Sequence, residues 1–223
     1  MMVFENPLLL GAIGAGLAVG IAGLGSGIGA GITGASGAGV LAEDPKQFSK
    51  VIVFQALPQT QGLYGFLVAI LILFVFKTAP EWAMLAAGAS VGLAGLSAIG
   101  QGIAAAAGLG AVSEDASIFG RAMVFSVLPE TQAIYGLLVS ILLLVQVFTG
   151  PGAETIAAVG AGLGVGFAGL SGIGQGITAA GAIGATARDT SVMGRGLVLA
   201  VMSETFAIFG LLIAILIMLG IMF

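Results

Sequence analysis

The chain has 223 residues, of which 59% are apolar and only 7% charged, with a formal net charge of −4. A soluble domain carries charge on about a quarter of its residues, so most of this surface must face lipid rather than water. There is no Cys, no His, and only six Lys and Arg, which excludes disulfide frameworks, thiol or histidine catalysis, Cys/His zinc sites and a nucleic-acid-binding patch.

Six apolar stretches follow one another, at 8–41, 48–76, 82–112, 118–148, 153–186 and 192–222. Each exceeds the ~20 residues that a membrane helix needs. The expected fold is an all-α membrane protein of six transmembrane helices. The N-terminal segment carries Glu5 and no basic residue; it reads as part of a retained first helix and not as a cleaved signal. Lys46, Lys50, Arg121, Arg188 and Arg195 fall in the loops after stretches one, three and five; only Lys77 lies elsewhere. The positive-inside rule puts the loops at 42–50, 113–121 and 186–195 in the cytoplasm and both termini outside.

Stretches one, three and five are Gly-rich and read GSGIGAGIT (25–33), LSAIGQGIA (96–104) and LSGIGQGIT (170–178). Stretches two, four and six carry Leu, Ile, Val and Phe around FQALPQTQGLYG (54–65), FSVLPETQAIYG (125–136) and AVMSETFAIFG (200–210). Both kinds of block recur at the same offsets, 71 and then 74 residues. The chain is therefore three tandem helical hairpins in one orientation, at 1–78, 79–149 and 150–223. Gly lets helix backbones approach closely in a bilayer, so the Gly-rich helices should crowd inside and the bulky ones outside.

Glu130 and Glu204 lie within stretches four and six, each nine residues past a basic residue (Arg121, Arg195). That is ~13 Å along a helix axis. A charged carboxylate inside a bilayer costs at least ~2.5 kcal/mol, so it is functional by default. Leu57, Thr60 and Gln61 share one helix face, as do Leu128, Thr131 and Gln132. Pro58 and Pro129 disturb the carbonyls of that turn, so a backbone oxygen can be spared for a ligand, and Gln101 and Gln175 are strongly polar residues within their Gly-rich helices. A lone Gln here would ordinarily be an interhelical hydrogen bond; beside a carboxylate, oxygen ligands suit a hard cation.

At ~100° per residue Glu130 stands ~200° from Leu128, so it must meet the Leu-Thr-Gln face of a neighbouring hairpin. Such head-to-tail contacts generate a ring when they close. Pairing each Glu with the preceding hairpin gives two complete sets. The first is Leu57, Thr60, Gln61, Gln101 and Glu130; the second is Leu128, Thr131, Gln132, Gln175 and Glu204. All the departures (Ala30, Gln59, Met202, Phe206) then fall at one junction, between hairpin three and hairpin one of the next chain. That junction is expected to pack without binding.

On LPQTQGLYG (57–65), LPETQAIYG (128–136), SETFAIFG (203–210) and the IGQG segments at 99–102 and 173–176, the chain resembles the membrane rotor subunit (subunit K, proteolipid or c-type subunit) of archaeal A-type and V-type rotary ATPases. The tripled hairpin resembles forms found in methanogens. The resemblance implies a ring of subunits turning against a stator a-type subunit (subunit I) and docked to central stalk subunits. It implies no cofactor, and Na⁺, or less readily H⁺, carried at both sets. Ion flow would be coupled to ATP synthesis or hydrolysis elsewhere in the complex. In this reading the loops AEDPKQ (42–47), SEDAS (113–117) and ARDTS (187–191) face the stalk; otherwise they are ordinary solvated turns.

A stand-alone cation channel or carrier built from parallel repeats would need a continuous polar path, whereas the polar residues occupy one depth. No Gly-rich loop is followed by Lys-Ser or Lys-Thr, so the chain is not expected to be an ATPase by itself.

Overall fold

A computed structural model of the chain describes residues 8–146 and 156–220. The repeat boundary expected at 149–150 and both termini lie outside the described residues. Six long apolar helical spans are present, and among the described residues there is no strand. They are α1 (Leu9–Glu43), α2 (Pro45–Val75), α3 (Glu81–Glu114), α4 (Ala116–Leu144), α5 (Ala157–Arg188) and α6 (Thr190–Met218).

Each hairpin turns on one aspartate. Asp44, Asp115 and Asp189 leave the helix into extended backbone, with φ of −142°, −136° and −147°. Each amide still closes the last turn of the preceding helix, bonding Val40, Ala111 or Ala185. Each carboxylate accepts the N–H two residues on, from Lys46 (3.0 Å), Ser117 (2.8 Å) and Ser191 (2.9 Å). One residue thus ends the inner helix and caps the outer one, satisfying orphan amides at the start.

The Gly-rich spans α1, α3 and α5 pack side by side, and α2, α4 and α6 lie against them. Glycine makes this possible. A Cβ on Gly102 would strike the backbone of Gly29, and one on Gly100 or Gly176 would strike the carbonyl of Gly172 or Gly100. Backbones this close gain dispersion contacts in a medium that offers no hydrophobic drive.

Two apolar clusters fill the two halves of the bundle. One contains Val68, Met84, Leu143 and Val165, the other Phe54, Leu109, Phe125 and Ile183. The polar layer lies between them. There the outer helices are interrupted: 3₁₀ turns run over Leu57–Gln59 and Leu128–Glu130, with Pro58 and Pro129 at their second positions. Span α6 breaks at 202–203 although Ser203 stands in place of the proline.

Candidate functional site: two oxygen cages between hairpins

The 3₁₀ turn of α2 sends the carbonyl of Leu57 toward the side chains that follow it. The Thr60 hydroxyl shares its proton between that carbonyl (3.0 Å) and Gln61 Oε1 (3.1 Å). Gln61 Nε2 donates to Gln101 Oε1 on α3 (2.5 Å), and Gln101 Nε2 donates to Glu130 Oε2 on α4 (3.4 Å). Gln61 and Gln101 are fully buried, and Glu130 is half-buried.

The second set repeats this on α4, α5 and α6. Thr131 bonds the Leu128 carbonyl (3.0 Å) and Gln132 Oε1 (3.2 Å). Gln132 Nε2 donates to Gln175 Oε1 (2.8 Å), and Gln175 Nε2 to Glu204 Oε2 (3.2 Å). Each five-residue set read from the sequence is thus brought together across one hairpin junction, with the carboxylate facing the preceding hairpin.

Two details differ from the sequence reading. Proline was expected to leave a backbone oxygen spare, yet Leu57 and Leu128 each accept both the N–H and the hydroxyl of the threonine three residues on. The carbonyl that Pro58 deprives of its helical donor is Phe54 O, and the Leu57 N–H takes it up instead. The second is a residue that the spacing argument passed over. The phenol of Tyr64 donates to Glu130 Oε1 (2.5 Å), and that of Tyr135 to Glu204 Oε1 (2.8 Å). The signal was present, since Tyr64 lies four residues past Thr60 and three past Gln61, on their face.

Ala30, Gln59, Met202 and Phe206 are not brought together within the chain. Ala30 and Gln59 belong to hairpin one, Met202 and Phe206 to hairpin three. Gln59 is exposed and donates to Gln55 O on its own helix (3.0 Å). Met202 and Phe206 are 61% and 62% exposed.

Chemically each cage offers a carbonyl, a hydroxyl, two amide oxygens and one carboxylate. These are hard donors without nitrogen or sulfur, and they carry a single negative charge. No cluster of three His, Cys, Asp or Glu occurs among the described residues. One carboxylate per cage suits a monovalent cation or a proton better than a divalent ion, which draws on several carboxylates.

The sequence matches the family described as the C subunit of ATP synthase three times, over residues 13–72, 85–143 and 159–217. The chain belongs to that family. Each of the three matched repeats coincides with one hairpin. The chain is 84% identical over 215 residues to the A-type ATP synthase subunit K of Methanocaldococcus jannaschii, covering 96% of this chain and 98% of that protein. It is 34% identical over 129 residues to the V-type sodium ATPase subunit K of Enterococcus hirae, covering 56% of this chain and 83% of that one. The ATP synthase c subunit of Lachnoclostridium phytofermentans is 46% identical over 79 residues, and 91% of its length fits within 33% of this chain. Nearly all of that shorter protein therefore corresponds to one hairpin here. As a member of this family the chain is a multi-pass, ion-translocating membrane component of a rotary ATPase, and not its catalytic part.

Proposed function

We propose that the chain forms the rotor ring of an A-type or V-type ATP synthase or ATPase and carries Na⁺ at two sites per chain. One site is Leu57, Thr60, Gln61, Gln101 and Glu130; the other is Leu128, Thr131, Gln132, Gln175 and Glu204. The observation that carries this reading is the twofold occurrence of one complete oxygen cage around one half-buried carboxylate. The likeness to a sodium ATPase subunit supports Na⁺ over H⁺, and so does the chemistry. A proton carrier needs the carboxyl and one acceptor, whereas these cages supply four further oxygens.

In this mechanism Glu130 and Glu204 neutralise the ion, and the amide, hydroxyl and carbonyl oxygens replace its water. Each tyrosine fixes one carboxylate oxygen, so the other can turn between Gln and ion. Ions enter and leave where the ring meets a stator a-type subunit (subunit I), and rotation carries them between the two membrane faces. The loops at 42–50, 113–121 and 186–195 face the cytoplasm and dock the central stalk; both termini lie outside. The junction carrying Ala30, Gln59, Met202 and Phe206 binds no ion.

Carbodiimide labelling of the purified protein, mapped by peptide mass spectrometry across a pH series, tests this. Carbodiimide attacks a protonated carboxyl, so bound Na⁺ protects it. Labelling at Glu130 and Glu204 that NaCl suppresses and KCl does not supports two sodium sites. Labelling that follows pH and ignores Na⁺ makes the rotor a proton carrier. If neither glutamate reacts while loop carboxylates do, the ion-site reading fails.

A further inference from the structure

The two internal junctions and the face left open at each end of the chain can be compared position by position. At the internal junctions glycines of the inner helices meet backbone: Gly29 against Ala98 and Gly102, and Gly100 against Gly172 and Gly176. The repeat offsets assign Gly174 as the counterpart of Gly29 and Gly100, and Gly27 and Gly31 as counterparts of the residues they meet. A Cβ on Gly27 or Gly31 would meet nothing within 4 Å, and one on Gly174 only the Ser203 hydroxyl, at 3.7 Å. The glycines that make the internal contacts therefore have counterparts at both ends of the chain.

The side chains at the site's depth change together. Gln61 and Gln132 become Phe206, Tyr64 and Tyr135 become Phe209, and Leu57 and Leu128 become Met202. On the opposing face Gln101 and Gln175 become Ala30, and Glu130 and Glu204 become Gln59. The large replacement on one face is matched by the small one on the other, and every tyrosine, carboxylate and cage amide is gone.

The remaining side-chain donors bond within their own hairpins, while Gln55 Oε1 is buried without a partner. Thr205 donates to Met202 O (2.8 Å), Gln59 to Gln55 O (3.0 Å), and Gln55 Nε2 to Ala30 O (2.9 Å). At the internal junctions, by contrast, the Gln–Gln and Tyr–Glu bonds cross from hairpin to hairpin.

We infer that the open faces of two copies of this chain close into a dry, size-compensated seam. In it Phe206 and Phe209, which pack edge to face at 6.4 Å, fill the space over Ala30 of the next copy. Gly174 seats on that copy's Gly27 and Gly31. The partner is a second copy because the open faces continue those of the internal junctions. The seam differs in function from those junctions: it is a protein–protein lock where they are ion sites. This inference rests on the proposed ring.

The chain has no cysteine, so a Phe206→Cys, Ala30→Cys pair can be treated in the detergent-purified oligomer with a short flexible bismaleimide. The seam gives a ladder of chain multiples on a denaturing gel, and each single variant gives none. Monomer alone from an intact oligomer, sized by native mass spectrometry, overturns the seam and leaves the ring standing. Absence of any oligomer in the unmodified protein overturns both.

The size match has its own test. Ala30→Phe weakens the detergent-resistant oligomer, and adding Phe206→Ala restores it. Failure of the double variant to recover what the single one lost overturns the compensation. Carbodiimide labelling of Glu130 and Glu204 in the same samples reports separately on the ion sites.

Discussion

The phenols of Tyr64 and Tyr135 are the groups whose removal isolates one oxygen of each carboxylate. A hydrogen bond to a charged acceptor contributes roughly 1.5–3 kcal/mol. Tyr64→Phe is therefore expected to lower Na⁺ protection of Glu130 about tenfold and to leave Glu204 unchanged, read by labelling each peptide against NaCl concentration. Equal loss at both glutamates would mean a general loosening. The Leu-Thr-Gln sets and the two glutamates were legible in the sequence because repeated polar residues stand out on apolar helices. Tyr64 shares that face, but its role was ambiguous there, because tyrosine near a membrane reads equally well as an interfacial anchor. The engagement of the Leu57 carbonyl was illegible for another reason: it depends on backbone geometry that side-chain spacing does not encode. A loop aspartate gives a second residue-level expectation. The Ser117 amide and then its hydroxyl hold the Asp115 carboxyl below its ordinary value. A depressed folded pKa contributes stability that is present above the unfolded pKa and lost as pH falls through the folded one. Ser117→Ala removes the hydroxyl's part, so the Asp115 titration measured by NMR should move up toward 3.8.

The outer helices share one interruption at the polar layer, and its cause is not proline alone. Span α6 breaks at 202–203 with Ser203 where α2 and α4 carry Pro58 and Pro129. In all three the threonine hydroxyl caps the carbonyl three residues back. That bond holds the turn, and in α2 and α4 the proline adds to the break by removing the N–H that would bond the carbonyl four residues back. Pro129→Ser should therefore keep Na⁺ protection of Glu204 within about twofold, since Thr131 still makes its bond; Thr131→Val should abolish most of it. Both are read by the same labelling titration. Six helices and three hairpins were readable from hydropathy and repeat offsets, because burial against lipid leaves long uninterrupted signals. The break in α6 and the triple use of an aspartate as both stop and cap were not, since Ser and Asp at those places are equally ordinary helix and loop residues. The inner helices carry the strictest demand. Gly100 approaches the Gly172 carbonyl so closely that Gly100→Val must push α3 and α5 apart. Overpacking of this kind costs about 1–3 kcal/mol, which should appear as a lower Tm of the purified chain, whereas Gly31→Val, in open space within one chain, should not lower the Tm of the monomer.

Across the whole molecule three hairpins yield two cages, so a ring of these chains would present ion, ion and gap in turn. The gap carries Gln59 where the cages carry glutamate. A neutral amide at that position needs neither a bound ion nor a compensating charge to cross the lipid-facing arc, whereas a bare carboxylate there would cost several kcal/mol. In the proposed ring the native rotor thus already passes one neutral position per chain. Glu130→Gln adds a second of the same chemistry, so it should not stop rotation. In the reconstituted complex, ATP hydrolysis coupled to ²²Na⁺ uptake is expected to continue with the Na⁺-to-ATP ratio cut by about half, as one ion-binding carboxylate of two is lost. With the two proposed Na⁺ sites per chain, equilibrium binding should fall from two Na⁺ to one. A complete block of uptake, with one Na⁺ still bound per chain, would mean that passage of the gap depends on the apolar packing of Met202, Phe206 and Phe209 around it. Neutrality of Gln59 would then be insufficient. Glu204→Gln leaves the same spacing as Glu130→Gln, because either amide abuts a Gln59 position and leaves two consecutive neutral positions per chain. If neutrality alone governs passage, the two variants behave alike. The same binding stoichiometry with different uptake rates would mean that the two cages themselves differ in how they load and release the ion, since the spacing of charges is the same in both variants.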